Sequence, residues 1–251
     1  MIIHPLSEGE FTIGFDKIFR PFHPETDVLE SRPRGSLLVE VQPFLIEIGP
    51  KLILCDTGLG FSDSGNNLQI HQNLARLGYA PGDVTHVLLS HLHKDHAGGL
   101  LHQKQDGLWE ASFPEAVYYI YKPEWDFAHA TGAPSYTLSD FENLEKHVSI
   151  HWLEGLEGVV DENISWSHSG AHCPQHIVWK IRDGAEIAFF GGDEAPQLKQ
   201  MKMRYIARYD YNGEAAMKLR EQYGAQGRQE GWNFLFYHDI ASPTAVLKPQ
   251  T

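Results

Sequence analysis

The 251-residue chain is poor in cysteine and in basic residues. Its two cysteines, Cys55 and Cys173, permit one disulfide at most, which is too few to hold together a disulfide-stapled secreted scaffold. We expect both thiols to be buried in a reducing compartment. Lysine and arginine number 20 against 33 acidic residues, so the formal net charge is -13. This imbalance argues against a nucleic-acid partner, because phosphates favour a basic surface.

Long apolar runs are also missing. No stretch approaches the roughly 18 apolar residues of a membrane span, and residues 1–14 have no basic region followed by an apolar one. We therefore expect a cytoplasmic protein without a membrane partner. Low-complexity tracts and internal repeats are absent as well, which favours one continuous domain over residues 1–251. The hydrophobic content of 42% is sufficient for a sizeable core.

Short strand-like runs alternate with helical patterns along the chain. Residues 36–58 predict two strands joined at Gly49-Pro50, and the second strand ends at Asp56. The remaining patterns predict strands over 85–90, 116–121 and 233–239, a hairpin over 176–193 with its turn at Asp183-Gly184, and helices over 66–78, 122–130, 139–148 and 212–224, with one more beginning near 97–101. Several predicted strands end in a histidine or an aspartate, so a polar cluster is expected in a cleft at the strand ends.

Histidine is abundant, with 15 residues, and three of them share six positions with an aspartate in HLHKDH (91–96). His91 and His93 are two residues apart, so extended or turn backbone lets both imidazoles point toward one ion. Asp95 and His96 follow at once and cannot crowd the same tetrahedral centre, which also needs open positions for water and substrate. The spacing therefore predicts two metals, with a solvated polar turn as the alternative. Further ligands are expected from other strand ends, which carry His172, Asp193 and His238.

These segments together resemble the motifs of the metallo-beta-lactamase superfamily. The run His91-x-His93-x-Asp95-His96, followed by AGGL, resembles the family signature. Four further segments are similar to the other family motifs, in the family's order: CDTGLG (55–60), GAHCPQH (170–176), FFGGDE (189–194) and FYHD (236–239). The resemblance covers nearly the whole chain. It implies an α/β fold of the αβ/βα sandwich type, in which two mixed β-sheets pack face to face with helices outside and the site lies along one edge.

The resemblance also implies a ligand set. Two divalent ions are expected, and a set of nitrogen and oxygen ligands suits Zn²⁺ best but also accepts Mn²⁺ or Fe²⁺. The implied ligands are His91, His93 and His172 for the first ion and Asp95, His96 and His238 for the second. Asp193 would bridge both ions. Asp56 matches an aspartate that supports a ligand histidine in the family, with a turn-capping role as the alternative.

Departures from individual family branches narrow the expected activity. Asp193 stands where common zinc β-lactamases have a cysteine ligand, and the glutamate and flavodoxin domain of the flavin-linked diiron branch are missing. The early end of the chain counts against the helical C-terminal domain of glyoxalase II relatives, and the acidic charge counts against the nuclease branches. What remains is similar to compact lactonases and esterases. The expected substrate is therefore an ester, lactone or thioester of a small molecule.

In such hydrolases the segment after the bridging aspartate lines the substrate pocket, and here it carries Tyr205, Tyr209 and Tyr211. One of these hydroxyls would donate a hydrogen bond to a developing oxyanion, unless the rings serve only in packing. Asp95 is a further catalytic candidate, because it can deliver a proton to the leaving alkoxide. Two other functions stay open. One is phosphodiesterase or phosphotriesterase activity at the same site, and the other is a non-catalytic metal-binding sensor.

Overall fold

The structure, a computed structural model, describes residues 1–104 and 107–248. Its strands are, in chain order, β1 (Ile2–Pro5), β2 (Gly9–Ile13), β3 (Phe19–Phe22), β4 (Leu37–Val41), β5 (Phe44–Ile48), β6 (Lys51–Cys55), β7 (His86–Leu88), β8 (Leu101–Gln103), β9 (Trp109–Ala111), β10 (Val117–Tyr121), β11 (Ser149–Leu153), β12 (Glu157–Val159), β13 (Ile164–His168), β14 (Ile177–Asp183), β15 (Glu186–Phe190), β16 (Asn233–Leu235) and β17 (Thr244–Val246). Its α-helices are α1 (Gln69–Arg76), α2 (Lys94–Ala97), α3 (Lys122–Thr131), α4 (Leu198–Lys202) and α5 (Gly213–Glu230). Short 3-10 helices occupy Leu29–Ser31, Pro81–Asp83, Leu138–Asp140, Leu144–Lys146 and Gly192–Glu194.

Two six-stranded mixed sheets dominate the part of the chain that the structure describes. The first has the order β1-β5-β6-β7-β10-β11, and the second has the order β12-β13-β14-β15-β16-β17. Strands β6, β7 and β10 run parallel in the first sheet, as do β15 and β16 in the second. Parallel neighbours end at the same edge of a sheet, and such edges are where open α/β sheets bind ligands. The segments that follow β6, β7, β15 and β16 are therefore the natural place for a site.

The core between the two sheets follows from the alternation of side chains along each strand. On β6, Ile53 and Cys55 face the second sheet, whereas Leu54 faces the opposite side. On β15, Phe190 packs into the same central core, while its neighbour Phe189 faces outward. Successive residues of a strand point to opposite faces, so a strand that is apolar throughout is buried on both sides. Both strands accordingly lie between two apolar layers.

Helices cover the outer faces of both sheets. Ile70 and Leu74 of α1 and Trp125 of α3 pack against the first sheet, and Met201 of α4 and Tyr223 of α5 pack against the second. The order of layers is helix, sheet, sheet, helix, which confirms the predicted α/β sandwich. Within residues 1–104 and 107–248, no helix combines the length and the apolar character that a membrane crossing requires.

The helix predicted over 139–148 is wrong. That stretch forms two short 3-10 helices, Leu138–Asp140 and Leu144–Lys146. Of its side chains, Phe141 and Leu144 are the fully buried ones, and they lie three residues apart. Two anchors at that spacing fit 3-10 turns and do not provide the continuous apolar face that stabilises a surface α-helix.

The helix predicted to begin near 97–101 is also wrong, since α2 ends at Ala97 and the chain continues into β8. Gly98 and Gly99 explain this path, because they lie directly against the backbone of the loop after β6. A Cβ atom on Gly98 would stand 2.4 Å from the carbonyl oxygen of Leu59, and one on Gly99 would stand 2.1 Å from that of Thr57. The two glycines thus allow the loop after β7 and the loop after β6 to touch.

Candidate metal centre

The seven ligand candidates meet at the rim where β6, β7, β15 and β16 end. The loop after β7 carries His91 and His93, α2 carries Asp95 and His96, the β13–β14 loop carries His172, the 3-10 helix after β15 carries Asp193, and the segment after β16 carries His238. Their potential ligand atoms form two groups, within each of which all atoms lie within 4.8 Å of one another: His91, His93, His172 and Asp193, and then Asp95, His96 and His238. The structure therefore brings together all seven residues that the resemblance implies as ligands, with Asp193 in the group of His91, His93 and His172.

Asp193 lies between the two groups and faces both. Its Oδ2 is 3.1 Å from Nε2 of His172 in the first group. Its Oδ1 is 3.0 Å from Nε2 of His238 and 3.4 Å from Nε2 of His96 in the second group. One carboxylate oxygen directed at each group is the arrangement that a bridging ligand requires.

The backbone around Asp193 is shaped for this position. Gly192 before it has a φ of +48°, and a Cβ atom there would lie 2.7 Å from Oγ of Ser90 and 2.9 Å from Nε2 of His176. A side chain at Gly192 would therefore be both strained and obstructed. The amide of Asp193 donates to Nε2 of His176 at 3.2 Å, and Nδ1 of His176 lies 2.9 Å from the hydroxyl of Ser169. His176 thus supports the bridging position and does not belong to either ligand group.

The histidines of the second group are held by acceptors on their far sides. Nδ1 of His96 lies 2.6 Å from Oδ2 of Asp56. The carboxylate of Asp56 also accepts two hydrogen bonds from Ser90, one from the hydroxyl to Oδ2 and one from the amide to Oδ1, both at 2.7 Å. Nδ1 of His238 donates to the carbonyl oxygen of Glu40 at 2.6 Å. An acceptor at Nδ1 fixes the tautomer in which Nε2 carries the lone pair. Both Nε2 atoms are thereby directed toward Asp193 as potential ligands.

The histidines of the first group point their inner nitrogens at one another. Nε2 of His91 is 2.9 Å from Nδ1 of His93, which is 3.2 Å from Nε2 of His172. On the outer sides, Nδ1 of His91 lies 3.0 Å from Oγ of Ser90, and Nδ1 of His172 lies 3.0 Å from Oδ1 of Asp210. Three converging ring nitrogens, with the outer nitrogens of His91 and His172 supported by neighbours, form the geometry expected of a histidine metal site.

Burial and neighbouring charges shift the pKa values of histidines in the two groups in opposite directions. Burial and then the neighbouring His172 lower the pKa of His93 to about 3, so its imidazole is neutral. Burial alone would lower the pKa of His238, yet the adjacent carboxylates of Asp193 and Asp95 raise it to about 10. Burial opposes ionisation of Asp193 too, but His238, His172 and then His96 hold its pKa well below the usual range. The anionic carboxylate of Asp193 thus lies between a neutral imidazole at His93 and a protonated one at His238, and a cation bound there would displace the proton of His238.

Two buried polar atoms at the centre do not have their hydrogen-bonding capacity satisfied within the protein. Among the residues that the structure describes, Nε2 of His96 and Oδ1 of Asp193 are buried and have no partner in hydrogen-bonding geometry, although Oδ1 lies 3.0 Å from Nε2 of His238 and 3.4 Å from Nε2 of His96. Buried polar atoms without a partner are rare in folded proteins, because their desolvation costs free energy that nothing offsets. Both atoms face the space between the ligand groups, and both are of the type that divalent metals bind. The donor set therefore fits a divalent metal.

A family model of the metallo-beta-lactamase superfamily matches residues 39–229. The chain belongs to this superfamily. Members of the superfamily bind divalent metals, and the matched residues include six of the seven ligand candidates, with His238 lying nine residues beyond the matched region.

Solved structures share the superfamily fold along nearly all of the chain. A probable metal-dependent hydrolase from Staphylococcus aureus has a TM-score of 0.72 at 22% identity, over 100% of this chain and 97% of its own. The dizinc quorum-quenching lactonase AidC, solved with a homoserine product, has a TM-score of 0.70 at 20% identity, over 98% and 90% of the two chains. The hydrolase AbOPH has a TM-score of 0.69 at 22% identity, over 99% and 90%. Likeness at these identities shows the fold.

A curated relative matches over a short stretch. The lactamase-like protein notP of Aspergillus sp. (strain MF297-2) is 40% identical over 57 residues, which make up 23% of this chain and 16% of that protein. The match thus covers much less than two thirds of the relative's length.

The three candidate tyrosines, Tyr205, Tyr209 and Tyr211, differ in their exposure and in their contact with the ligand candidates. They lie in the segment between α4 and α5. The ring of Tyr209 has its centroid 6.1 Å from that of His172, and its hydroxyl accepts a hydrogen bond from Nε2 of Gln200 at 3.0 Å. Tyr205 and Tyr211 are 37% and 71% exposed, respectively. Of the three, Tyr209 is the one whose ring contacts a ligand candidate.

Two buried glutamates that support the ligand loops are missed by the sequence reasoning. Glu124 of α3 is 1% exposed and accepts hydrogen bonds at 3.0 Å from the amide of Leu92 and from the hydroxyl of Tyr136. Glu194 accepts hydrogen bonds at 2.8 Å from the amides of residues 171 and 172. The place of Glu194 beside Asp193 in the FFGGDE motif is a usable sequence signal. Glu124 has none, because it reaches the site from a distant helix.

Two further residues at the rim are also missed. Tyr237 stacks on His96 with ring centroids 4.1 Å apart, and its hydroxyl donates to the carbonyl oxygen of Asp95 at 2.6 Å. Asp210 is the partner of His172 described above. Tyr237 adjoins His238 in the FYHD motif, so motif adjacency would have indicated it. No spacing marks Asp210, whose position depends on the path of the loop between α4 and α5.

Proposed function

We propose that the protein is a dinuclear metal-dependent hydrolase that cleaves an ester, lactone or thioester bond of a small molecule. The observation that carries the proposal is the placement of Asp193, with one carboxylate oxygen toward each ligand group. Six ligand candidates and a carboxylate between them exceed the four ligands that a single tetrahedral ion binds. The shared fold of the dizinc lactonase AidC supports both the metal count and the substrate class.

The proposed ligand assignment follows the two groups. His91, His93 and His172 hold the first ion, Asp95, His96 and His238 hold the second, and Asp193 bridges them. Zn²⁺ suits this set best, and Mn²⁺ or Fe²⁺ are the alternatives. Divalent ions held by these residues would supply a water of lowered pKa and would polarise a substrate carbonyl. The chain's own residues then have to orient the substrate and move the proton.

Asp95 is the proposed proton carrier. Its Oδ2 lies 3.4 Å from Nε2 of His238 and 3.6 Å from Nε2 of His96. Although burial opposes ionisation, these histidines lower the pKa of Asp95, so its side chain is an ionised carboxylate. We propose that it accepts the proton released when water attacks the carbonyl and delivers it to the leaving alkoxide.

Tyr209 is the proposed donor to the oxyanion, chosen from the three candidate tyrosines. Burial, and then the charge of Asp210, raise the pKa of Tyr209, so its hydroxyl keeps its proton. Because Gln200 donates to the hydroxyl oxygen, the hydroxyl hydrogen remains available for another acceptor. Tyr205 and Tyr211, which are more exposed, line the approach to the site in this proposal.

We also propose a cytoplasmic location. The buried free thiols of Cys55 and Cys173 support it, because free thiols persist in a reducing compartment.

A substrate panel tests the proposal. Zinc-loaded protein would be assayed for kcat/KM on an acylated lactone, an aryl ester, a thioester, a chromogenic phosphodiester and a chromogenic phosphotriester, with Asp193→Ala as the control for contaminating hydrolases. We expect one of the three carboxylic substrates to be preferred. A higher value on either phosphoester would instead assign a phosphoesterase. No turnover on any substrate by fully metallated protein would favour a non-catalytic sensor.

A further inference from the structure

Asp210 occupies an unusual place for an acidic residue. Its side chain is fully buried, and Oδ1 lies 3.0 Å from Nδ1 of His172. The other nitrogen of that ring, Nε2, faces Asp193 at 3.1 Å and His93 at 3.2 Å. Asp210 therefore stands behind His172, on the side opposite the first ligand group, and contacts the centre only through this ring.

Arg220 of α5 lies behind Asp210. Its side chain is 2% exposed, and Nη1 is 3.9 Å from Oδ2 of Asp210. The same guanidinium donates to the carbonyl oxygen of Glu194 at 3.1 Å and to that of Tyr205 at 2.6 Å. Arg220 thus holds the segment after the bridging aspartate at two points and supplies a positive charge beside the carboxylate of Asp210.

The pair is poorly built as a stabilising ion pair. In the part of the chain that the structure describes, Oδ2 of Asp210 and Nε of Arg220 are buried without a hydrogen-bond partner. A buried charge pair offsets its desolvation only when its geometry is close and its remaining polar atoms are satisfied, and otherwise apolar residues would stabilise the fold at least as well. Stability alone therefore does not explain these two residues, whereas the contact with His172 does.

We propose that Asp210, held by Arg220, is a positioning residue that keeps His172 protonated at Nδ1 and so directs its Nε2 lone pair at the first metal. The inference rests on the proposed metal-dependent function. Carboxylates that accept from a ligand histidine raise its basicity and fix its orientation, and their loss typically weakens metal affinity by about 10- to 100-fold. Asp56 has the corresponding contact with His96 in the second group.

The test uses the full-length protein with zinc and a chromogenic competing chelator. A His238→Ala background removes one ligand candidate from the second group, so that the tighter of the two binding steps reports on the first group. In that background Asp210→Asn is expected to weaken zinc binding by about 10- to 100-fold, and Asp210→Glu is expected to restore part of the loss because it returns the carboxylate. Asp161→Asn, on the opposite rim, is the matched control and should bind zinc like the background protein.

A second readout separates positioning from a merely structural role. In metal-free protein, at a pH where the imidazole of His172 is neutral, the ring-nitrogen NMR signals report its tautomer. Because a carboxylate faces each ring nitrogen, the parent should show a population protonated at Nδ1, and Asp210→Asn should shift that population toward the other tautomer while the melting temperature changes little. Unchanged tautomer populations together with unchanged zinc affinity would overturn the proposal.

Arg220→Lys covers the case in which Asp210→Asn does not fold. Lysine keeps the charge but lacks the planar fork that reaches two carbonyls and a carboxylate at once. Weaker zinc binding at a parent-like melting temperature would support the proposal, and parent-like zinc binding would overturn it. If the parent protein itself binds no zinc, the proposed function fails, yet the tautomer measurement still decides the role of Asp210.

Discussion

At the rim that carries the candidate metal centre, Asp56 and His96 are both fully buried and lie 2.6 Å apart. At the opposite rim, Lys51 reaches Asp161 at 2.8 Å with both side chains about one-fifth exposed, and the amino group of Met1 reaches Asp183 at 2.8 Å. The two rims belong to the same two sheets. The rim with the candidate metal centre buries its charged groups, whereas the opposite rim leaves most of its charged groups partly exposed to water.

The charges at the two rims differ in what they contribute to the stability of the fold. Partly exposed pairs such as Lys51 with Asp161 contribute about 0–1 kcal/mol to stability, because water and salt screen them. Buried charges cost several kcal/mol in desolvation unless partners or a bound ion satisfy them. Such costs are expected where function requires the groups, so substitutions and metal removal should have large effects at one rim and small effects at the other.

Removing the metals is expected to have the largest effect. Each of the two proposed ions should stabilise the fold by about 4 kcal/mol when free metal exceeds its Kd roughly a thousandfold. For a chain of this size such a loss lowers the melting temperature by about 8–16 °C per ion. A chelator should produce this drop and abolish hydrolysis, as measured by calorimetry and by activity before and after dialysis. An unchanged melting temperature after complete metal removal would show that the buried charges are satisfied within the protein.

Asp193→Ala should have the next largest effect. If Asp193 bridges two ions as proposed, its loss should weaken both zinc-binding steps by more than the roughly 100-fold typical of losing a partner of a ligand, because one oxygen leaves each group. Elemental analysis and chelator competition would measure this loss. Asp161→Ala is the matched removal of a carboxylate at the opposite rim and should retain the metals. Two tightly bound ions in Asp193→Ala would exclude a bridging role.

Tyr209→Phe tests the site rim without touching a ligand. Loss of one oxyanion donor typically lowers the rate by about 100-fold or more, and the ring that packs near His172 is retained. We expect kcat to fall while metal content and melting temperature stay at parent values. Tyr205→Phe and Tyr211→Phe are the controls and should turn over like the parent. Equal turnover by all three variants would identify the tyrosines as packing residues.

Lys51→Met is expected to have the smallest effect. The substitution removes the contacts of the ammonium group with Asp161 and Asn163. It should lower the free energy of unfolding by about 0–1 kcal/mol, as measured by urea denaturation, and leave zinc binding and turnover unchanged. A loss of several kcal/mol would mean that the opposite rim is not the weakly coupled region described above.

The ligand candidates could be predicted because their signal is local. His91, His93, Asp95 and His96 are nearly contiguous, and the other three follow runs of strand residues that end in a family motif. The layered fold could be predicted from the same alternation of strands and helices. The 3-10 turns of residues 139–148 could not be predicted, because the composition of this stretch suits a helix while only Phe141 and Leu144 of it are fully buried.

The supports behind the ligands depend on tertiary structure. Asp210 lies in a loop without periodicity, and its contact with His172 spans 38 positions of sequence. Glu124 sits in the first turn of α3, where an acidic residue is ordinarily explained by the helix dipole. Its burial becomes visible only once α3 is packed on the loop after β7. The choice of Tyr209 over its two neighbours has the same origin.

The adjacency of Tyr209 and Asp210 has a consequence for how this enzyme scaffold can be altered. In the proposed site Tyr209 faces the substrate pocket and Asp210 supports the ligand candidate His172, while Arg220 donates to the carbonyl of Tyr205 in the same loop. Grafting a different loop between α4 and α5 to change the substrate range would therefore also remove the metal support. Libraries that randomise the loop should keep Asp210 and Arg220 constant, and natural divergence of substrate preference should be easier in the loop after β6 than in this one.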